Sequence, residues 1–129
     1  MKKITELFVL LEDKPGSIYE LTRVLKKKHI NIDSIGLFID TARLMVNRPE
    51  EARKALQENG YQADLREVLS MELPNRQGVL MEVTQKLSNA GINIIYLYGT
   101  MQAGQKSGLV ILEVDNMPLA LDLFANHTF

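Results

Sequence analysis

The stretch DKPGSIYELTRVLKKKHINI, Asp13–Ile32, returns 62 residues later as NRQGVLMEVTQKLSNAGINI, Asn75–Ile94. Seven of the twenty positions are identical: Gly16/Gly78, Glu20/Glu82, Thr22/Thr84, Leu25/Leu87, Ile30/Ile92, Asn31/Asn93 and Ile32/Ile94. Others match in kind, such as Ile18/Leu80 and Leu21/Val83. The same glycine opens both stretches and the same Ile-Asn-Ile closes both, so they read as two copies of one unit. The match resumes at a spacing of 68, where Leu44-Met45-Val46 falls over Leu112-Glu113-Val114 and Ala52 over Ala120. The six extra residues fall around Gln102–Gly108, QAGQKSG, a loop by composition. A period of about 65 is too long for the common solenoid repeats, which leaves two fused copies of one small domain.

Outward from the repeat, Ile4–Leu11 is an apolar run that predicts a buried strand. Asp13-Lys14-Pro15-Gly16 is turn chemistry, since Pro fixes φ and Gly tolerates φ > 0. Ser17-Ile18-Tyr19-Glu20 has the spacing of a capping box and opens a helix with Ile18, Leu21 and Leu25 on one face. Lys26-Lys27-Lys28 then suits the negative end of the helix dipole. Ile30–Ile39 and Ala42–Val46 read as strands joined near Asp40-Thr41. Pro49 starts a second helix through Ala52, Ala55 and Leu56, Asn59-Gly60 stops it, and Tyr61–Leu65 is a fourth, edge-like strand. The order is βαββαβ.

The second copy repeats it with Val68–Leu73, helix Gly78–Ala90, strands Ile92–Thr100 and Leu109–Val114, and a helix over Pro118–Phe124. Phe129 corresponds to Tyr61, so a fourth strand in this copy is expected to be missing or supplied by something else. The expected organisation is therefore α+β, with two ferredoxin-like units over 1–66 and 67–129, each an antiparallel sheet with helices on one face.

Composition narrows the function. The 129 residues carry 46% hydrophobic and 24% charged side chains, an ordinary globular balance. A net charge of −1 argues against bulk phosphate neutralisation, hence against nucleic acid as a partner. There is no Cys, which removes disulfides and thiol chemistry. No apolar run reaches the roughly 18 residues of a membrane span. The opening MKKITELFVLL is interrupted by Glu6 and lacks a cleavage site, so it reads as a first strand, and the expected location is the cytoplasm.

The D-x-P-G turn into a helix, followed by His/Gly-Ile-Asn-Ile into the second strand, occurs in EDKPGSIYELTRVLKKKHINI and, with Gln77 in place of Pro, in ELPNRQGVLMEVTQKLSNAGINIIYLY. In that order of elements the chain resembles a pair of ACT domains over nearly its whole length. The resemblance implies a regulatory module that binds an amino acid at the loops between first strand and first helix, at an interface between two such units. It also implies no catalytic activity and no cofactor. In ACT domains that bind serine, Asn occupies the positions matching Asn75 and Asn93; the first copy has Asp13 and Asn31 there.

The physical case for such a loop rests on a helix N-terminus, which attracts a carboxylate, and on Gly, which lets the backbone approach it. The expected ligand residues are Asp13, Gly16, Ser17 and Asn31 in the first copy, and Asn75, Gly78, Val79 and Asn93 in the second. Asp13 repels a carboxylate and suits an ammonium, so the second loop is the better carboxylate site. Tyr96 and Tyr98 are expected to divide, one packing and one facing an interface.

Rival readings fare less well. His29 and His127 have no evident carboxylate partner, and no H-x-x-x-H, G-x-S-x-G or P-loop is present. An RNA-binding sheet needs more aromatics than Phe38 and Tyr98. The alternative that keeps its weight is a subunit that docks on a metabolic enzyme through an open strand edge. A homodimer is the expected assembly, since an unpaired edge must be covered.

Overall fold

The computed structural model describes all 129 residues. Ten elements follow one another: β1 (Lys2–Leu10), α1 (Ser17–Lys27), β2 (Ile32–Phe38), β3 (Thr41–Val46), α2 (Pro49–Glu58), β4 (Ala63–Pro74), α3 (Val79–Asn89), β5 (Ile94–Thr100), β6 (Ser107–Val114) and α4 (Met117–Phe124). They form two compact units, Thr5–Glu67 on the one hand and Met1–Ile4 with Val68–Phe129 on the other.

In the first unit the strands run β2-β3-β1-β4. Leu7 pairs with Leu44 and Val9 with Ala42, so these four point to one face and are fully buried. Leu21, Val24 and Leu25 of α1 and Ala52, Ala55 and Leu56 of α2 close over that face as one core. A fully buried leucine contributes about 1.5–3 kcal/mol, so this row sets the register of the unit.

The opposite face holds Glu6 and Arg43, paired at 3.1 Å with Glu6 fully buried. The guanidiniums of Arg43 and Arg66 lie 5.0 and 3.8 Å from the centre of the Phe8 ring. In the second unit the order is β1-β4-β6-β5, and Leu69/Leu112 and Met71/Val110 take the place of the buried row, under α3 and α4.

Several sequence expectations are corrected. Tyr61–Leu65 and Val68–Leu73 are not two strands: Ala63–Leu65 and Val68–Leu73 are parts of one, the twelve-residue β4, and Tyr61 and Gln62 lie before it. No turn chemistry interrupts Arg66-Glu67-Val68, so the ladder runs on. The fourth strand that seemed absent from the second unit is Lys2–Ile4: β4 has β1 on one side and β6 on the other, and Met1 packs on the second core. An open edge beside β4 is therefore not available to a partner. The Ile30–Ile39 strand is shorter, starting at Ile32 with a bulge before Ser34. The Tyr96 and Tyr98 rings stack on one another, 6.2 Å apart and 16° from parallel.

The capping box does not form either. Gly16 is the N-cap, at φ 88°, and no side chain caps the helix. Ser17 is already the first helical residue, and its hydroxyl donates instead to the Glu12 carbonyl at 2.6 Å. Glu20 pairs with Arg23. The left-handed glycine wins because it redirects the chain into the helix at no steric cost, which leaves no position for a serine cap.

Candidate functional site

The loop from β1 to α1 is pinned from both sides. The Leu11 N–H donates to the Asp40 carbonyl at 2.7 Å, tying the strand end to the tip of the β2–β3 hairpin. Ser17 closes the loop onto Glu12. Between loop and hairpin lies a cavity of about 280 Å3, lined by Leu11, Asp13, Gly16, Ser17, Leu37 and Ile39 among others. Leu37 pairs with Ala42, so it belongs to the helix-facing row, yet it is 53% exposed.

A second cavity of about 710 Å3 lies between the same loop and the turn Asn59–Gln62, with Tyr19 and Glu20 on its wall. Burial pushes the Tyr61 phenol there above its ordinary value; Glu20 adds to the rise and Arg23 opposes it. At the loop itself, the Glu12 carboxylate raises the Lys14 ammonium through a hydrogen bond at 2.9 Å.

The second unit repeats the construction with different walls. Gly78 is the N-cap of α3, at φ 83° and again without a side-chain cap. A cavity of about 440 Å3 stands before it, lined by Arg76, Gly78, Val79, Leu97, Gly99 and Met101 among others. Leu97 pairs with Leu112 and Gly99 with Val110, so β5 offers its helix-facing row here, as β2 does in the first unit.

Arg76 donates to both carboxylate oxygens of Glu82, at 2.9 and 2.8 Å. That bidentate pairing holds the Glu82 carboxyl below its ordinary range and the Arg76 guanidinium above its own.

The expected site residues separate into three groups. Asp13, Gly16 and Ser17 meet at the first-unit cavity, and Gly78 and Val79 at the second. Asn75 belongs to the longer hairpin: its amide donates to the Gln102 and Gln105 carbonyls, both at 2.9 Å, and its N–H to the Lys106 carbonyl at 2.9 Å. Asn31 and Asn93 lie at the far end of the first helix of each unit, some ~16 Å of helix from the loop. There the Asn31 N–H donates to Asn47 Oδ1 and the Asn93 N–H to Asp115 Oδ1, both at 2.9 Å.

Sequence reading missed Leu37, Ile39, Leu97, Gly99 and Met101. The available signal was the 62-residue spacing itself, which sets Leu37 over Gly99 at the end of the repeated second strand.

No three His, Cys, Asp or Glu side chains gather as metal ligands, and no helix is long and apolar enough to cross a membrane.

Two ferredoxin-like units, the second completed by Lys2–Ile4, each carry a left-handed glycine before an uncapped helix and a cavity in front of it. The family described as an ACT domain pair matches residues 2–127, and the chain belongs to that family. ACT domains are regulatory rather than catalytic, and no catalytic family is indicated. A crystal structure of a Bacteroides thetaiotaomicron protein is similar over 95% of this chain and 87% of its own, at 29% identity and a TM-score of 0.86. The ligand-free regulatory subunit of aspartate kinase from Thermus thermophilus shares the fold over 99% and 95%, at 19% identity and 0.68. E. coli aspartokinase III, in complex with lysine and aspartate, shares it over 97% of this chain and 31% of its own, at 16% and 0.60. No curated protein sequence matches.

Proposed function

We propose that this chain is a cytoplasmic regulatory sensor that binds a free amino acid at its strand–helix loops. The observation that carries the reading is the repeated construction: Gly16 and Gly78 each open a helix without a side-chain cap, and each lines a cavity. Uncapped N–H groups suit a carboxylate. Asp13, Gly16 and Ser17 contribute to one site, and Gly78 and Val79 to the other. Asn75 contributes by shaping its loop. Asn31 and Asn93 reach a ligand only from another copy, so the reading includes a homodimer. The family membership and the lysine complex of E. coli aspartokinase III support an amino acid as the ligand class.

The test is a thermal-shift screen of the twenty amino acids. A ligand at a hundred times its Kd stabilises the folded chain by about 2.7 kcal/mol and raises Tm. If no amino acid shifts Tm, the sensor reading is wrong.

A second reading is favoured by the likeness to an aspartate kinase regulatory subunit. In it the chain docks on a metabolic enzyme without a ligand of its own. Co-purification of one enzyme by the tagged chain, with no response to amino acids, supports it.

A further inference from the structure

We infer that the second-unit cavity selects an amino acid with an apolar side chain, a refinement that rests on the sensor reading above. Apart from Arg76 and the Thr100 hydroxyl, the side chains lining this cavity are apolar: Val79, Leu80, Met81, Leu97, Met101 and Val110. Val79 and Val110 form a dry floor, at 4% and 6% exposure, while Leu80, Met81 and Met101 stand half-open around the mouth. Gly99 keeps the space clear. A Cβ there would meet the Leu109 carbonyl at 2.7 Å and Val110 Cγ2 at 2.9 Å, so the close strand approach admits only glycine.

Charge completes the match. The uncapped N-terminus of α3 suits the α-carboxylate. The one ionic group lining the cavity, Arg76, is already held in a closed, bidentate ion pair with Glu82. It offers nothing to a charged side chain, whose desolvation in an apolar cavity has no compensating bond. The two methionines are adaptable wall material and suit branched as well as linear apolar side chains. The first-unit cavity differs in kind, because Glu12, Asp13, Lys14 and Ser17 line it.

The experiment is calorimetric titration of the full chain with leucine, isoleucine, valine, methionine and phenylalanine, against lysine, threonine, serine and aspartate. The expected result is a preference of at least about tenfold for one of the apolar set, the scale on which an apolar pocket discriminates. Leu80→Gln and Met101→Gln, each at a partly exposed position, should weaken that ligand by about tenfold, with the circular-dichroism melt unchanged. Lys54→Gln, exposed on α2 and away from these cavities, should leave it unchanged. Tighter binding of a polar amino acid overturns the inference and keeps the sensor reading. So does loss of affinity in Tyr19→Gln, on the wall of the first-unit cavities, without loss in Leu80→Gln or Met101→Gln. Binding of no amino acid overturns both.

Discussion

Glu6 Oε1 lies 3.1 Å from Arg43 Nη1, and the Glu6 side chain is fully buried on the sheet face away from the helices. Desolvation and attraction nearly balance in such a pair, but removing the arginine takes an ion-pair bond from a buried carboxylate whose desolvation has already been incurred. Arg43→Met should therefore cost about 3–5 kcal/mol in urea unfolding. Restoring balance with Glu6→Met in the same chain should recover most of it. An Arg43→Met protein as stable as wild type would show that the pair is not carrying the buried carboxylate.

Residues Met1–Ile4 complete the second unit, not the first. Deleting them removes the strand beside β4 within Val68–Pro74. At about 1 kcal/mol for each lost ladder bond, the loss should be about 2–3 kcal/mol. Hydrogen exchange locates it. Amides of Val68–Pro74 should lose protection more than those of α1 and β3.

His29 has φ 54° just after the end of α1, where the second copy has Gly91 at φ 72°. A left-handed conformation is costly for a side chain with Cβ, though Gly also gains freedom in the unfolded chain. The net expectation for His29→Gly is a stabilisation of about 0.5–1 kcal/mol, read as a higher denaturant midpoint at constant slope.

Arg76 lowers the Glu82 carboxyl below its ordinary value of 4.5. A depressed carboxyl contributes stability that is full above the unfolded-state pKa and is lost as pH falls through the lower folded-state value. Wild type should therefore exceed Arg76→Met in Tm near neutral pH, and the gap should close on acidification below about 4. A gap that stays constant down to strong acid would assign the effect to packing by the arginine stem.

Asn75 donates to two carbonyls of the Gln102–Gly108 hairpin. Asn75→Ala should cost about 1 kcal/mol, since the bonds are exposed, and should loosen Gln102–Gln105 in hydrogen exchange. Any effect on ligand affinity is expected to follow that loosening, because both amide hydrogens are already held by the loop.

Much of the fold was legible in the chain because it is written in local terms. The repeat fixed the element order, apolar spacing at Ile18, Leu21 and Leu25 picked out the core face of the first helix, and the apolar run Ile4–Leu11 marked a buried strand. Gly16 and Gly78 marked the two loops, since a turn into a helix shows in one residue's φ. Three matters were left to tertiary structure. Whether Arg66-Glu67-Val68 bends or runs straight depends on the neighbouring ladder, not on those residues. That Lys2–Ile4 supplies the strand the second copy lacks is a pairing across more than sixty residues, invisible to any local pattern. And Leu37, Leu97 and Met101 look like ordinary strand or loop residues until the packed units leave them lining the cavities. Sequence determined the two units and their loops. Only the packing decided which apolar side chains stay uncovered, and so what each loop can hold.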